Sequence, residues 1–206
     1  MDSYLLPDLP YAYDSLEPWC DATTLQLHHT KHHQSYVDGA NAAVEALTSI
    51  DPDDAMKLHG ARSALTFNLG GHVLHSLFWE NLAPTSATSS APSAALAERV
   101  QRDLGGPERF RKLFVATCKG VQDSGWGALV HDAIADRLVV TGLHDHHNDL
   151  VPDTTILAVV DVWEHAYYLT HRNDRVAWVE AAFDHLDWNT VSARLEAATA
   201  AAGGST

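Results

Sequence analysis

ILAVVDVWEHAYY, residues 156 to 168, changes its pattern halfway along. Ile156 to Val160 is a short unbroken apolar run, the signature of a buried strand. From Trp163 the stretch WEHAYYLTH takes up a helical pattern instead. A strand handing directly to a helix puts Asp161 at the strand end and His165 four residues later on the helix, where both can converge on one point. A buried carboxylate without a partner is costly, so Asp161 needs one, and a cation is one option. A histidine-rich set with one carboxylate suits iron, manganese or zinc, and ligand softness alone does not choose among them.

Two further strands precede this one: Trp126 to Val130 and Arg137 to Leu143, joined by the turn AIAD. What precedes them reads as helices with an extended N-terminal arm and a linker. Pro7 and Pro10 bracket an extended arm, and Asp21 or Thr23 caps a helix that runs to about Leu47 with a bend near Gly39. A second helix covers roughly Ala55 to Leu82. APTSATSSAPSA, residues 83 to 94, is small, polar and punctuated by proline, which marks a linker. Two helices separated by Gly105, Gly106 and Pro107 then lead to Val121, and two more follow near Arg175 to Phe183 and Val191 to Ala202. The tail AAGGST is expected to fray. The fold class is therefore α+β. An N-terminal helical hairpin domain, residues 1–88, precedes an α/β domain, residues 89–206, built on a small three-stranded antiparallel sheet.

Composition narrows the function. The chain has 206 residues, 46% hydrophobic and 19% charged, with a formal charge of -14. That acidity disfavours nucleic acid and anionic membrane surfaces, whose phosphates call for clustered Lys and Arg. No apolar stretch approaches a membrane span, and MDSYLLPDLPYAY lacks the basic and apolar regions of a signal peptide. Cys20 and Cys118 belong to no paired motif. A cytoplasmic protein is the expectation.

The 14 histidines outnumber the 13 lysines and arginines. LHHTKHHQSYV, residues 27 to 37, sets His28, His32 and Tyr36 along one helical line, with His29 and His33 on a neighbouring line. Only one line is expected to face a buried site, leaving the other in water. By itself the cluster fits metal ligands, a proton relay or a polar face. In GGHVLHSLFW, His72 and His75 are either hydrogen-bonded core histidines or ligands, and the glycines suggest a close backbone approach. LHDHHND, residues 143 to 149, reads as a solvated loop or as a strand end pointing a side chain into a site.

Together these motifs resemble the iron/manganese superoxide dismutases. The similarity runs collinearly from LPDLPYAYDSLEP through HHTKHHQSYV, FNLGGHVLHSLFW, SGWGALV, the DHH loop and DVWEHAYYL to DWNTV. NLGGHVLHS and HDHHNDL most resemble the actinobacterial branch. The resemblance implies His28, His75, Asp161 and His165 as ligands of one iron or manganese ion per subunit, with a slight preference for iron. It implies that superoxide becomes oxygen and hydrogen peroxide as the metal alternates between trivalent and divalent states. It gives His32 and Tyr36 a role at the substrate entrance and in proton supply, and His146 a hydrogen bond to the metal-bound solvent. Gly71 occupies the alternative position for that last role. Trp79, Trp126 and Trp163 match an aromatic shell. Glu164 and Tyr168 match residues that cross a subunit interface, implying a homodimer or homotetramer.

The chain departs from the family pattern at several places. Trp19 and Cys20 replace the usual His or Tyr and a following apolar residue near the entrance, Asp174 replaces an arginine found in some relatives, and Lys31 and Arg175 remain to steer an anion. His131 and His144 stand where aromatics are common, and Ala182 and Phe183 replace an FW pair. These changes leave room for two other readings. One is an oxygen- or peroxide-using oxidase of specialised metabolism, with Trp19, Cys20 and His144 reshaping the entrance. The other is a metal-storing or heme-handling protein using surface histidines such as His29, His33, His144 and His147.

Overall fold

The computed structural model describes residues 3–87 and 90–203, with side chains as far as residue 200. The first helical run comprises α1 (Ala22–Leu27), a π-helical segment (His28–His33) and α2 (Gln34–Ser49). Asp21 starts it by accepting the Thr24 N–H at 2.7 Å, satisfying one of the orphan amides of the first turn. Asp54 caps α3 (Ala55–Glu80) in the same way through Lys57 N–H, and α2 and α3 form the expected hairpin.

The expected bend at Gly39 is absent. The irregularity falls instead on the histidines, where the Gln34 N–H reaches back five residues to the His29 carbonyl. Gly39 sits inside unbroken α2 and serves packing: a Cβ there would lie 2.3 Å from the Asn68 Oδ1 of α3.

Ser93 caps α4 (Ala94–Leu104), and Gly105 ends it at φ 78°, a left-handed conformation that costs a glycine nothing. Pro107 opens α5 (Pro107–Gly120). The sheet follows as β1 (Gly125–Asp132), β2 (Arg137–His144) and β3 (Thr154–Asp161), in spatial order β2-β1-β3 and antiparallel throughout. The strands run one to three residues longer than their sequence-based ranges. Then come α6 (Glu164–His171), α7 (Arg175–Asp184) and α8 (Trp188–Gly203). The expected domain cut between residues 88 and 89 lies outside the described residues, as does the end of the tail at 204–206.

Two details place the helical hairpin against the sheet. In the β1–β3 register Trp126 lies opposite Asp161. Asn81, wholly buried at the end of α3, accepts the Val159 N–H at 2.8 Å and donates to the Val159 carbonyl at 3.2 Å. This two-way bond satisfies both faces of the amide and fixes the helix carrying His75 against the strand carrying Asp161.

Candidate metal centre

Four side chains from four segments meet in the interior. His28 opens the π-helical segment, His75 lies in α3, Asp161 ends β3 and His165 lies in the first turn of α6. Their potential ligand atoms all lie within 4.8 Å of one another. The Asp161 Oδ2 is 3.0 Å from His28 Nε2, 3.4 Å from His165 Nε2 and 3.6 Å from His75 Nε2. His75 and Asp161 are oriented from behind. His75 Nδ1 donates to the Gly71 carbonyl at 2.6 Å, leaving Nε2 as the lone-pair nitrogen. Asp161 Oδ1 accepts the Trp163 N–H at 2.8 Å, and the Asp161 carbonyl accepts the Trp178 indole N–H at 2.7 Å.

The facing atoms have no hydrogen-bond partner among the described residues: His28 Nε2, His75 Nε2, His165 Nε2 and Asp161 Oδ2 are all buried and orphaned. Burial pushes His28 down to about 4 and His75 well below the ordinary histidine value, so neither supplies a positive charge at neutral pH. Burial also opposes the Asp161 charge, but facing His165 and His28 outweighs it and holds the carboxyl below its ordinary range. A buried carboxylate facing the neutral His28 and His75 imidazoles calls for a cation. The donor set fits iron or manganese, which accept imidazole and carboxylate together.

Around these four lie the aromatic groups. Trp79 packs on His28 and Trp126 on His75, each at 4.9 Å between ring centres, and Trp163 lies 5.6 Å from His165. His32 stacks on His165 at 4.1 Å and is half-buried. Tyr36 sits edge-on to His146 at 4.5 Å and against His75 at 5.1 Å. His146 is buried, stacked on Trp163 at 4.6 Å, while its neighbour His147 is exposed. The DHH loop is thus solvated except for the one side chain that points inward. The glycine pair in α3 makes room for this: a Cβ on Gly70 would meet the His146 carbonyl at 2.3 Å, and one on Gly71 would meet the Tyr36 ring at 2.8 Å.

The second histidine line is not wet. His33 is fully buried and His29 is 6% exposed. The N-terminal arm and α3 cover this line and supply its partners. His29 Nε2 donates to the Pro7 carbonyl at 2.8 Å and Nδ1 accepts from the Tyr13 hydroxyl at 3.0 Å, clasping the N-terminal arm. His33 Nδ1 accepts the Trp79 indole N–H at 2.9 Å, and Nε2 donates to His72 Nδ1 at 2.8 Å. These bonds remove His29 and His33 from the surface histidines that a storage or heme-handling protein would use.

Trp19 and Cys20 do not shape an entrance. Both are buried in the core, and the Trp19 ring packs on Trp178 and His185. Asp174 caps α7, and Arg175 donates to the carbonyls of Val121 and Asp123. His131 is buried and bonded to Asp136. Sequence reasoning missed Asn81, Trp178 and the roles of His29 and His33. Only the HHxxHH spacing hinted at the last two.

Two family models match the chain: the iron/manganese superoxide dismutase alpha-hairpin domain over residues 3–83 and the C-terminal domain of the same family over residues 92–194. A superoxide dismutase [Fe] of Methanothermobacter thermautotrophicus is 42% identical over 94% of this chain and 95% of its own length. A superoxide dismutase [Mn] of Corynebacterium diphtheriae is 42% identical over 96% and 99%. A superoxide dismutase [Mn/Fe] of Propionibacterium freudenreichii is 37% identical over 96% and 99%. With both models matched in order and relatives aligned over nearly their full length, the chain belongs to the iron/manganese superoxide dismutase family.

Proposed function

We propose that this chain is a metal-dependent superoxide dismutase, with His28, His75, Asp161 and His165 holding one iron or manganese ion per subunit. The observation that carries the reading is the set of orphaned donor atoms gathered round the Asp161 carboxylate. When bound, the ion supplies a one-electron couple between its trivalent and divalent states. Overall, two superoxide anions and two protons become one oxygen and one hydrogen peroxide. Iron is the ion proposed first, from the branch that NLGGHVLHS and HDHHNDL resemble; iron-named and manganese-named relatives both reach 42% identity.

The chain's own residues then manage protons and access. Burial, and after it the charges of Asp161 and Asp145, raise the Tyr36 phenol above its ordinary value, so Tyr36 keeps its proton at neutral pH and can donate it. His32, half-buried and stacked on His165, is suited to pass protons from solvent towards Tyr36. His146 presents an N–H to the same space. The oxidase reading is not favoured, because Trp19 and Cys20 are packed in the core and open no substrate funnel.

Assembly as a homodimer or homotetramer through Glu164 and Tyr168 belongs to the same proposal. Its support is the apolar surface of α6, where Tyr168 is 46% and Leu169 50% exposed. No helix among the described residues is long and apolar enough to cross a membrane. A cytoplasmic setting is proposed, and the two free buried thiols suit a reducing compartment. The test is superoxide decay by protein loaded separately with iron and with manganese. Rapid decay lost on chelation is expected, and full metal occupancy with negligible decay would overturn the proposal.

A further inference from the structure

Behind Asp161, on the side away from Tyr36 and His146, lies a second aromatic cluster that the dismutation reading does not use. Trp178 is bonded to the Asp161 carbonyl, and its ring lies 5.3 Å from that of Trp19. Among the described residues this is the only contact between two tryptophans. Trp19 continues onto His185 at 4.9 Å, and its own indole N–H is buried without a partner. Cys20 follows directly in the chain as a buried free thiol.

We infer that the Trp178–Trp19 pair carries one-electron oxidising equivalents from the metal centre to Trp19 and Cys20 when the centre meets hydrogen peroxide. The inference rests on the metal-site reading above, whose reaction releases that peroxide beside the centre. Electron transfer falls steeply with distance, so rings in contact exchange electrons far faster than rings separated by aliphatic packing. Among the described residues Trp126 leads only to Phe78 and to the histidines of the site, and a phenylalanine ring is too hard to oxidise to pass a hole onward. Trp178 leads at 5.3 Å to a second indole whose chain neighbour carries a thiol, a closer contact than its 6.2 Å stacking on Tyr167.

The electrons balance. Hydrogen peroxide takes two electrons and two protons to become two waters. Trp178 gives up electrons one at a time and is refilled from Trp19. At the end of the path the Cys20 sulfur, or an indole carbon of Trp19, loses two electrons and two protons and gains oxygen from water. The sum is one peroxide consumed, one water formed, and a sulfenic acid or a hydroxylated indole. The damage is kept off the histidines that hold the metal.

The experiment treats iron-loaded and metal-free protein with hydrogen peroxide and maps added oxygen by peptide mass spectrometry, with iron content and superoxide decay measured on the same samples. Oxygen on Trp19 or Cys20 in the iron-loaded protein only, and its loss in Trp178→Phe, is the expected result. Because Trp178→Phe also removes a bond to Asp161, Trp19→Phe provides a second variant, in which Cys20 oxidation should fall while iron content holds. Oxygen confined to Trp79, Trp126 and Trp163, equal labelling without iron, or Cys20 labelling that is present in the wild type and undiminished in Trp19→Phe would each overturn the route. A protein that takes up no iron overturns the site reading and the route with it. Iron uptake without superoxide decay removes only the dismutation reading, and the labelling still decides the route.

Discussion

The indole N–H of Trp126 donates to His146 Nδ1 at 3.1 Å. An indole can only donate, so this nitrogen of His146 is an acceptor and the neutral ring carries its proton on Nε2. That N–H is buried and unpartnered among the described residues. The Trp126 bond therefore sets the tautomer, and with it the polarity of the group offered to the centre.

Replacing His146 with Gln keeps a donor but removes the titratable ring. The expected outcome is a changed pH profile or iron-to-manganese preference with part of the activity retained, read from superoxide decay across pH with each metal. An unchanged profile and preference would remove His146 from solvent bonding.

His75→Ala takes away a wholly buried imidazole whose orientation is fixed by the Gly71 carbonyl. Metal affinity should fall by more than the roughly 10–100-fold typical of losing an outer contact. Metal content after dialysis is the readout, and full occupancy in the variant would refute the ligand assignment.

Gly71→Ala adds a Cβ that would lie 2.8 Å from the Tyr36 ring. Overpacking of this kind costs about 1–3 kcal/mol and here moves a proposed proton donor. Thermal denaturation should show the destabilisation, with activity falling further than metal content. Activity and stability both at wild-type levels would mean that Tyr36 yields freely.

His33→Leu leaves the Trp79 N–H and His72 Nδ1 unpaired, at about 1–3 kcal/mol for each such group that stays buried. It also changes the response to acid. Burial, then the neighbouring His72, pushes His33 down to about 3, against an ordinary 6.5. Between those values the unfolded chain binds a proton that the folded chain refuses, so this contribution is complete above about 6.5 and is lost as pH falls towards about 3. His146, pushed to about 4 by burial, adds a loss of the same sign. Chemical denaturation of metal-free protein from pH 7 downwards should therefore show a steeper decline for wild type than for His33→Leu. Parallel declines would contradict the linkage.

Much of the molecule follows from short-range pattern. ILAVV was a buried-strand candidate by its shortness and β-branched residues, and WEHAYYLTH a helix start; Asp161 and His165 stood out as candidates for that reason. The hairpin, the three strands and the glycine approach in α3 were legible on the same grounds. The family motifs then picked out His28 and His75 from among the other histidines, which helical spacing alone left open. What spacing misjudged was the second histidine line. His29 and His33 are seated inside because the N-terminal arm and α3 pack over them, where Pro7, Tyr13, Trp79 and His72 supply partners. Such partners are distant in sequence, so no local pattern encodes them. The same holds for Asn81 on Val159, Trp178 on Asp161 and Trp126 on His146. Sequence by itself determined which segments are helix or strand and which residue types can bind a metal, because both depend on neighbours a few positions away. Tertiary structure alone decided which imidazole nitrogen faces the centre and which tryptophan backs each residue, because a hydrogen bond exists only where the fold brings donor and acceptor within about 3 Å.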